Sequence, residues 1–138
     1  DKDYKFDINK ALVLKEGTDI TLFVTGDVLS EVLKASDILE KEGYSVQVVN
    51  VPVIKPFDSN TVISSAVKTK HVFTVENHSI IGGLGSAVCE CLSEHAPKLV
   101  RRIGVNDCFG QSGTPNELLK CYGLDAEGIS NKVIELIK

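Results

Sequence analysis

The 138-residue chain contains no methionine. A protein that starts at its own initiation codon carries one there, so the expectation is a processed product or a piece of something longer. No apolar run approaches the roughly 18 residues of a membrane span, and the opening DKDYKFDINK lacks the apolar centre of a secretory signal. A soluble, cytoplasmic domain without a membrane partner is the resulting expectation. Basic residues form no block: 15 Lys and Arg stand against 19 Asp and Glu, and only Arg101 and Arg102 are adjacent, which argues against nucleic acid as a partner. The four cysteines (Cys89, Cys91, Cys108, Cys121) lack paired metal-ligand spacing, and a chain so rich in aliphatics needs no disulfide staples. Cys89 and Cys91 lie two apart in a predicted helix, so their side chains diverge by about 200° and cannot easily share an ion.

What is present alternates between apolar runs and helical spacing, at a length that suits one compact domain. Residues 1–10 are polar except for Tyr4, Phe6 and Ile8 and read as an arriving linker, leaving 11–138 as the domain. Two runs, 11–14 and 20–25, flank a Gly-containing turn and predict a hairpin, which makes the sheet mixed with one antiparallel edge strand. Val28, Leu29, Val32, Ala35, Ile38 and Leu39 then follow helical spacing, with Gly43 as the stop. Residues 44–51 read as a buried parallel strand. Pro56 stiffens the next connection, and Asp58 stands as N-cap ahead of Val62, Ile63, Ala66 and Val67.

The stretch HVFTVENHSIIGGLGSAVCECL (71–92) is the repeating half-unit of a parallel α/β domain: an apolar strand (72–75), a short polar loop (76–79), a glycine cluster and a helix. Ala96 and Pro97 stop that helix, and 99–105 is a further strand. After a loop at 106–113, Thr114, Pro115 and Glu117 give a strong helix start. Gly123 ends this helix, and Asp125 caps a last one carrying Ile129, Val133, Leu136 and Ile137. The fold expected is α/β, a three-layer α/β/α arrangement around a mostly parallel five-stranded sheet.

Four predicted strands end in polar or glycine-containing loops, and in open parallel sheets ligands gather beyond such ends. The expected anion or ligand rim therefore comprises Gly26, Asp27, Lys55, Glu76, His78, Gly82, Gly83, Gly85 and Asp107. Gly83 and Gly85 supply the first two glycines of a dinucleotide fingerprint, and Asp107 lies about 20 residues onward as a ribose acid would. The third glycine is missing, and six residues separate the strand from the cluster. The favoured reading is conformational: Gly82 and Gly83 take positive φ, and Gly85 lets the helix approach the sheet. Free N–H groups at that helix start could still hold a phosphate or carboxylate. Glu76 and His78 could form an acid/base pair, although the plainer reading has Glu76 paired with backbone or a basic neighbour. Lys55 could bind an anion or be solvated. His71 and His95 read as surface residues.

Taken together, EGTDITL (16–22), VIKPFD (53–58), VENHSIIGGLGSAV (75–88), RIGVNDCFGQSG (102–113) and YGL (122–124) resemble the C-terminal domain of transketolases. The resemblance runs from about Phe6 to Ile137. The same domain type closes 1-deoxyxylulose-5-phosphate synthase and the beta chains of pyruvate dehydrogenase-like enzymes; the wording of 78–85 and 107–113 is closest to short or split prokaryotic transketolases. One departure is Asn77, where the family usually has a second glutamate. The resemblance implies an enzyme that moves a two-carbon ketol unit between sugar phosphates with thiamine diphosphate and magnesium. It also implies that this cofactor lies between two other domains, in the same chain or a separate one, with this third domain beside them and contributing to a homodimer. In agreement, Gly26-Asp27 is followed by Val28 and does not open the Gly-Asp-Gly diphosphate motif. The isolated chain is therefore expected to contain no catalytic, cofactor or metal residue, to hold thiamine diphosphate weakly, and to be inactive alone. A different class of function, a free-standing nucleotide- or phosphate-binding regulatory module, rests on the turn at 82–85.

Overall fold

The computed structural model describes residues 7, 9–105 and 113–138. Most of the expected linker, together with Asp107 and Cys108, lies outside them. Five strands form one sheet in the order β1-β3-β2-β4-β5: β1 (Leu12–Lys15), β2 (Ile20–Thr25), β3 (Val46–Asn50), β4 (His71–Ser79) and β5 (Val100–Val105). All neighbours are parallel except β1, which runs antiparallel to β3 at the edge. Helices α1 (Leu29–Lys41), entered through a 3₁₀ turn, and α5 (Ala126–Ile137) cover one face; α2 (Ser59–Ala66) and α3 (Leu84–His95) cover the other, and α4 (Pro115–Cys121) leads into α5.

The central strands are continuous apolar runs because both faces are buried. Alternation sends Ile20, Leu22 and Val24 toward α1 and α5, and Phe23 toward α2 and α3. The α2 face also holds a buried polar chain in which Gln47 Nε2 donates to Thr21 Oγ1 at 2.8 Å and to the Ser65 carbonyl at 2.9 Å. Helix punctuation follows the sequence signals. Gly43 takes φ +99° after α1 and Gly123 φ +72° after α4, conformations that glycine adopts without Cβ strain. Thr114 and Glu117 form a reciprocal capping box with Pro115 at the first helical position, and Asp125 caps α5 through the Gly128 N–H.

Two expectations are corrected. The antiparallel edge strand exists, but β1 and β2 form no hairpin, because β3 lies between them. Residues 16–19 cross under the start of β3, and Gly17 is pressed so close that a Cβ there would fall 2.2 Å from the Val46 carbonyl carbon. Asp19 locks the crossing by donating its N–H to the Ser45 carbonyl at 2.9 Å and accepting the Ser45 N–H at 2.7 Å. The arrangement lets Val46, Val48 and Val49 be fully buried, while the half-exposed β1 takes the edge. Secondly, residues 76–79 are strand rather than loop. After an irregularity beyond Val75, β4 resumes pairing with β5 at Ser79 and Val105. Gly104 faces that irregularity, where a Cβ would press on the His78 and Glu76 carbonyl oxygens at 3.0 and 3.1 Å.

Asp58 ties two segments together: one carboxylate oxygen accepts the Thr61 N–H at 3.2 Å, capping α2, and the other accepts the Ala11 N–H at 2.9 Å ahead of β1. Burial pushes its carboxyl upward, but the Thr61 and Ala11 hydrogen bonds outweigh that and hold it below the usual carboxylate value. A depressed folded-state value means the contribution is complete above the unfolded carboxyl value, about 3.9, and is lost as pH falls through the folded one. Asp58→Ala is expected to cost about 1–2 kcal/mol near neutral pH. The gap between wild type and Asp58→Asn should narrow below about pH 4. Urea unfolding at a series of pH values measures both, and a pH-independent gap would show that the ionised carboxylate is not what holds the two segments.

Candidate functional site

The carboxyl ends of β2, β3 and β4 surround an open cleft of about 540 Å³, lined among others by Thr25, Lys55, Glu76, His78, Gly82 and Gly83. Five of the nine rim residues expected from sequence thus converge on one cavity. Lys55 and His78 are exposed at the cleft. Ile54 and Ile81, 38 % and 67 % exposed, supply an apolar part of its wall. Gly26, with φ +78°, and Asp27 sit beside it at the end of β2, where Asp27 accepts from Asn77 Nδ2 at 3.4 Å. Asp107 falls outside the described residues.

Glu76 decides the chemistry of this end of the sheet. Strand alternation places it on the same face as Val72 and Thr74, under the start of α3. Its residue is only 1 % exposed, yet the carboxylate is fully engaged: Oε1 accepts the Leu84 N–H at 2.9 Å and Oε2 the Gly85 N–H at 2.7 Å. The first amide groups of a helix lack intrahelical partners and carry partial positive charge, so an internal carboxylate satisfies them as a bound anion would. Two of the N–H groups considered open to a phosphate, those of Leu84 and Gly85, therefore already have their acceptor, and Glu76 pairs with backbone. Both oxygens are committed to α3, which leaves His78 without an acid/base partnership to it.

The glycine cluster follows from the same contact, with one correction. Gly82 has φ +80°, but Gly83 has φ −105° and needs no left-handed freedom. What Gly83 provides is room, since a Cβ would lie 2.0 Å from Glu76 Oε1. Gly85 allows the close approach expected of it: a Cβ there would meet the Arg102 Cδ at 2.7 Å and Thr74 Oγ1 at 2.9 Å. Residues 79–83 are tied down from both sides. Arg102 Nη1 donates to the Ile80 carbonyl at 2.9 Å, and the Gly82 N–H donates to Ser86 Oγ at 2.9 Å.

Among the described residues, no three His, Cys, Asp or Glu side chains are placed to hold a metal ion. Burial raises the Cys89 thiol above its ordinary value despite the opposing charge of Arg102, which keeps it protonated and a poor ligand. The residues present do not fit a magnesium diphosphate: the helix start that would cradle one is filled, and the carboxylate that fills it is not free to coordinate. What remains is a contact or binding cleft carrying a lysine, a histidine and two exposed isoleucines. The plainer reading of Glu76 as paired with backbone is the one found, although the helix it meets was not named, and the role of Arg102 was not apparent from sequence. The available signal was an acid near the end of an apolar strand, followed within eight residues by a glycine pair opening a helix.

Residues 9–129 match the family described as transketolase, C-terminal domain. The chain is 46 % identical over 125 residues to the 6-deoxy-6-sulfo-D-fructose transketolase subunit of Clostridium sp. strain MSTE9, covering 91 % of this chain and 39 % of that protein. It is 45 % identical over 127 residues to the 1-deoxy-D-xylulose-5-phosphate synthase of Syntrophotalea carbinolica, covering 91 % of this chain and 20 % of that one. Among solved structures, a split gene transketolase in the form of an inactive beta4 tetramer superposes with a TM-score of 0.89 at 44 % identity, over 98 % of this chain and 44 % of that one. The chain thus spans about two fifths of the first relative and one fifth of the second.

If the Glu76 carboxylate is what requires glycine at 83, the two positions must be coupled. Gly83→Ala is expected to destabilise by about 1–3 kcal/mol through overpacking, and Glu76→Ala by about 1.5–3 kcal/mol through loss of charge-assisted bonds. In the double variant the clash is gone, so the Gly83→Ala cost should fall by more than about 0.5 kcal/mol. Additive losses in denaturant unfolding would show that the two residues do not meet.

Proposed function

The chain belongs to the transketolase C-terminal domain family, and from that premise we propose that it is the third domain of a transketolase whose domains are divided between chains. The match to a split gene transketolase across 98 % of this chain is the observation that carries this reading. In such an enzyme, thiamine diphosphate and magnesium belong to the companion domains and the substrates are sugar phosphates. The carboxylate already seated at the start of α3 supports placing the cofactor elsewhere. The work of this domain is then to complete the subunit and contribute to a homodimer in the cytoplasm. The exposed Ile54 and Ile81 beside Lys55 and His78 offer the companion domains a mixed apolar and cationic face.

A second reading within the same family, the closing domain of a 1-deoxyxylulose-5-phosphate synthase, is supported by 45 % identity to such an enzyme. The product separates them. Mixed with the thiamine diphosphate-binding chain encoded with it, the protein should yield ketol transfer between sugar phosphates; accumulation of 1-deoxyxylulose 5-phosphate instead would favour the synthase. The pure chain, supplied with magnesium, thiamine diphosphate and sugar phosphates, is expected to give no turnover. Turnover by the pure chain would overturn the division of labour proposed here.

A further inference from the structure

The opposite end of the sheet carries a cavity of about 220 Å³ that the reading above does not use. It lies where β4 and β5 begin and α5 ends, and the ionisable side chains of its lining residues are those of Lys70, His71, Lys98, Arg101 and Lys138, with no aspartate or glutamate among them. This is notable in a chain of net charge −4. His71 and Phe73 alternate onto the sheet face that α5 covers, and Arg101, paired with Phe73 across β4 and β5, shares that face. Phe73, Leu136 and Ile137 give the cavity an apolar wall, and Leu99, 71 % exposed, forms its lip.

Elsewhere cations find acids: Lys15 contacts Asp37 at 2.8 Å and Glu40 at 3.0 Å. Here they do not. Among the described residues, the side chains of Lys70, Arg101 and Lys138 have neither a carboxylate nor a hydrogen-bond partner. Lys98 is anchored by donating to the Ala66 carbonyl at 2.7 Å and to the Thr69 carbonyl, which leaves its third proton uncommitted. Burial pushes its ammonium below the ordinary lysine value, as expected for a cation lacking an anionic neighbour. The Asp19 carbonyl accepts the Lys70 and His71 N–H groups, but its carboxylate is turned to the Ser45 N–H. Gathering like charges costs free energy unless an anion joins them.

We propose that this cavity is a binding site for a small phosphate monoester, with the phosphoryl group held by Arg101 and Lys70 and steadied by Lys98 and Lys138, and a short carbon body against Phe73, Leu136 and Ile137. The planar fork of Arg101 suits two phosphoryl oxygens at once. The volume is several times the roughly 30 Å³ share of a water molecule, enough for a phosphoryl group and a few carbons and too little for a nucleotide. The site is on the far end of the sheet from the cleft at Lys55, so it stands apart from the contact face.

The test is NMR titration of the ¹⁵N-labelled chain with glycerol 3-phosphate and with inorganic phosphate, at ionic strength matched with sodium chloride and with sulfate as a control anion. The expected result is saturable shifts confined to residues 70–73, 98–101 and 136–138, tighter for glycerol 3-phosphate than for phosphate. Arg101→Gln should weaken binding by about tenfold or more, and the exposed Lys70→Gln by a smaller factor, with unchanged melting temperatures; Lys55→Gln should bind as wild type. Mapping on the wild type does not depend on any variant folding. Absence of saturable shifts, equal response to sulfate, or shifts centred on the Lys55 cleft would each overturn the proposal.

Discussion

The contact on which the upper half of the molecule depends is the Glu76 carboxylate under the first turn of α3. A helix that starts against a sheet leaves amide groups facing the interior, and water cannot reach them there. Supplying the acceptor from the strand beneath satisfies the helix and also compensates a carboxylate that burial alone would penalise. The contact fixes the position of α3 along β4. It requires a residue without a side chain at 83; beyond Glu76, which pairs with Thr25 at the end of β2, β4 extends three residues further to Ser79. The lip formed by residues 79–83, and so the shape of the strand-end cleft, follows from that extension.

With its own anion in place, the helix start does not behave as the phosphate cradle that glycine-rich turns often form. The chemistry of the domain is displaced to its two ends. At the carboxyl ends of the strands, two exposed isoleucines share an open cleft with Lys55 and His78. At the amino ends, lysine and arginine side chains line a smaller cavity that has no aspartate or glutamate.

The sequence carried local signals clearly. Asp58, Thr114 with Pro115 and Glu117, Asp125, Gly43 and Gly123 act within a few residues of themselves, and each behaves as its type suggests. The five-stranded, mostly parallel sheet with one antiparallel edge was legible from the alternation of apolar runs and helical spacing. Strand pairing was less so, because nothing near Gly17 announces that its loop must cross β3. Residues 76–79 looked like a loop because their side chains are polar, although Glu76 is polar in order to meet a helix rather than water. The reason for Gly83 lies seven residues back in the chain. Lys70, Lys98, Arg101 and Lys138 are scattered in sequence, and only the fold gathers them.

The strand order has a consequence for the chain as it is made. β2, at the centre of the sheet, takes one partner at Val46 and the other only at His71. During synthesis from the N-terminus, β1, β2 and β3 can assemble with α1 over one face while the apolar run ITLFVT still shows an unpaired edge and an uncovered side. Parallel pairing across a helical crossover closes slowly, and an open apolar edge is a template for the same segment of a neighbouring chain. The interval between emergence of β3 and arrival of β4 is therefore when this domain is most exposed to aggregation, and the most buried strand of the finished sheet is the one at risk.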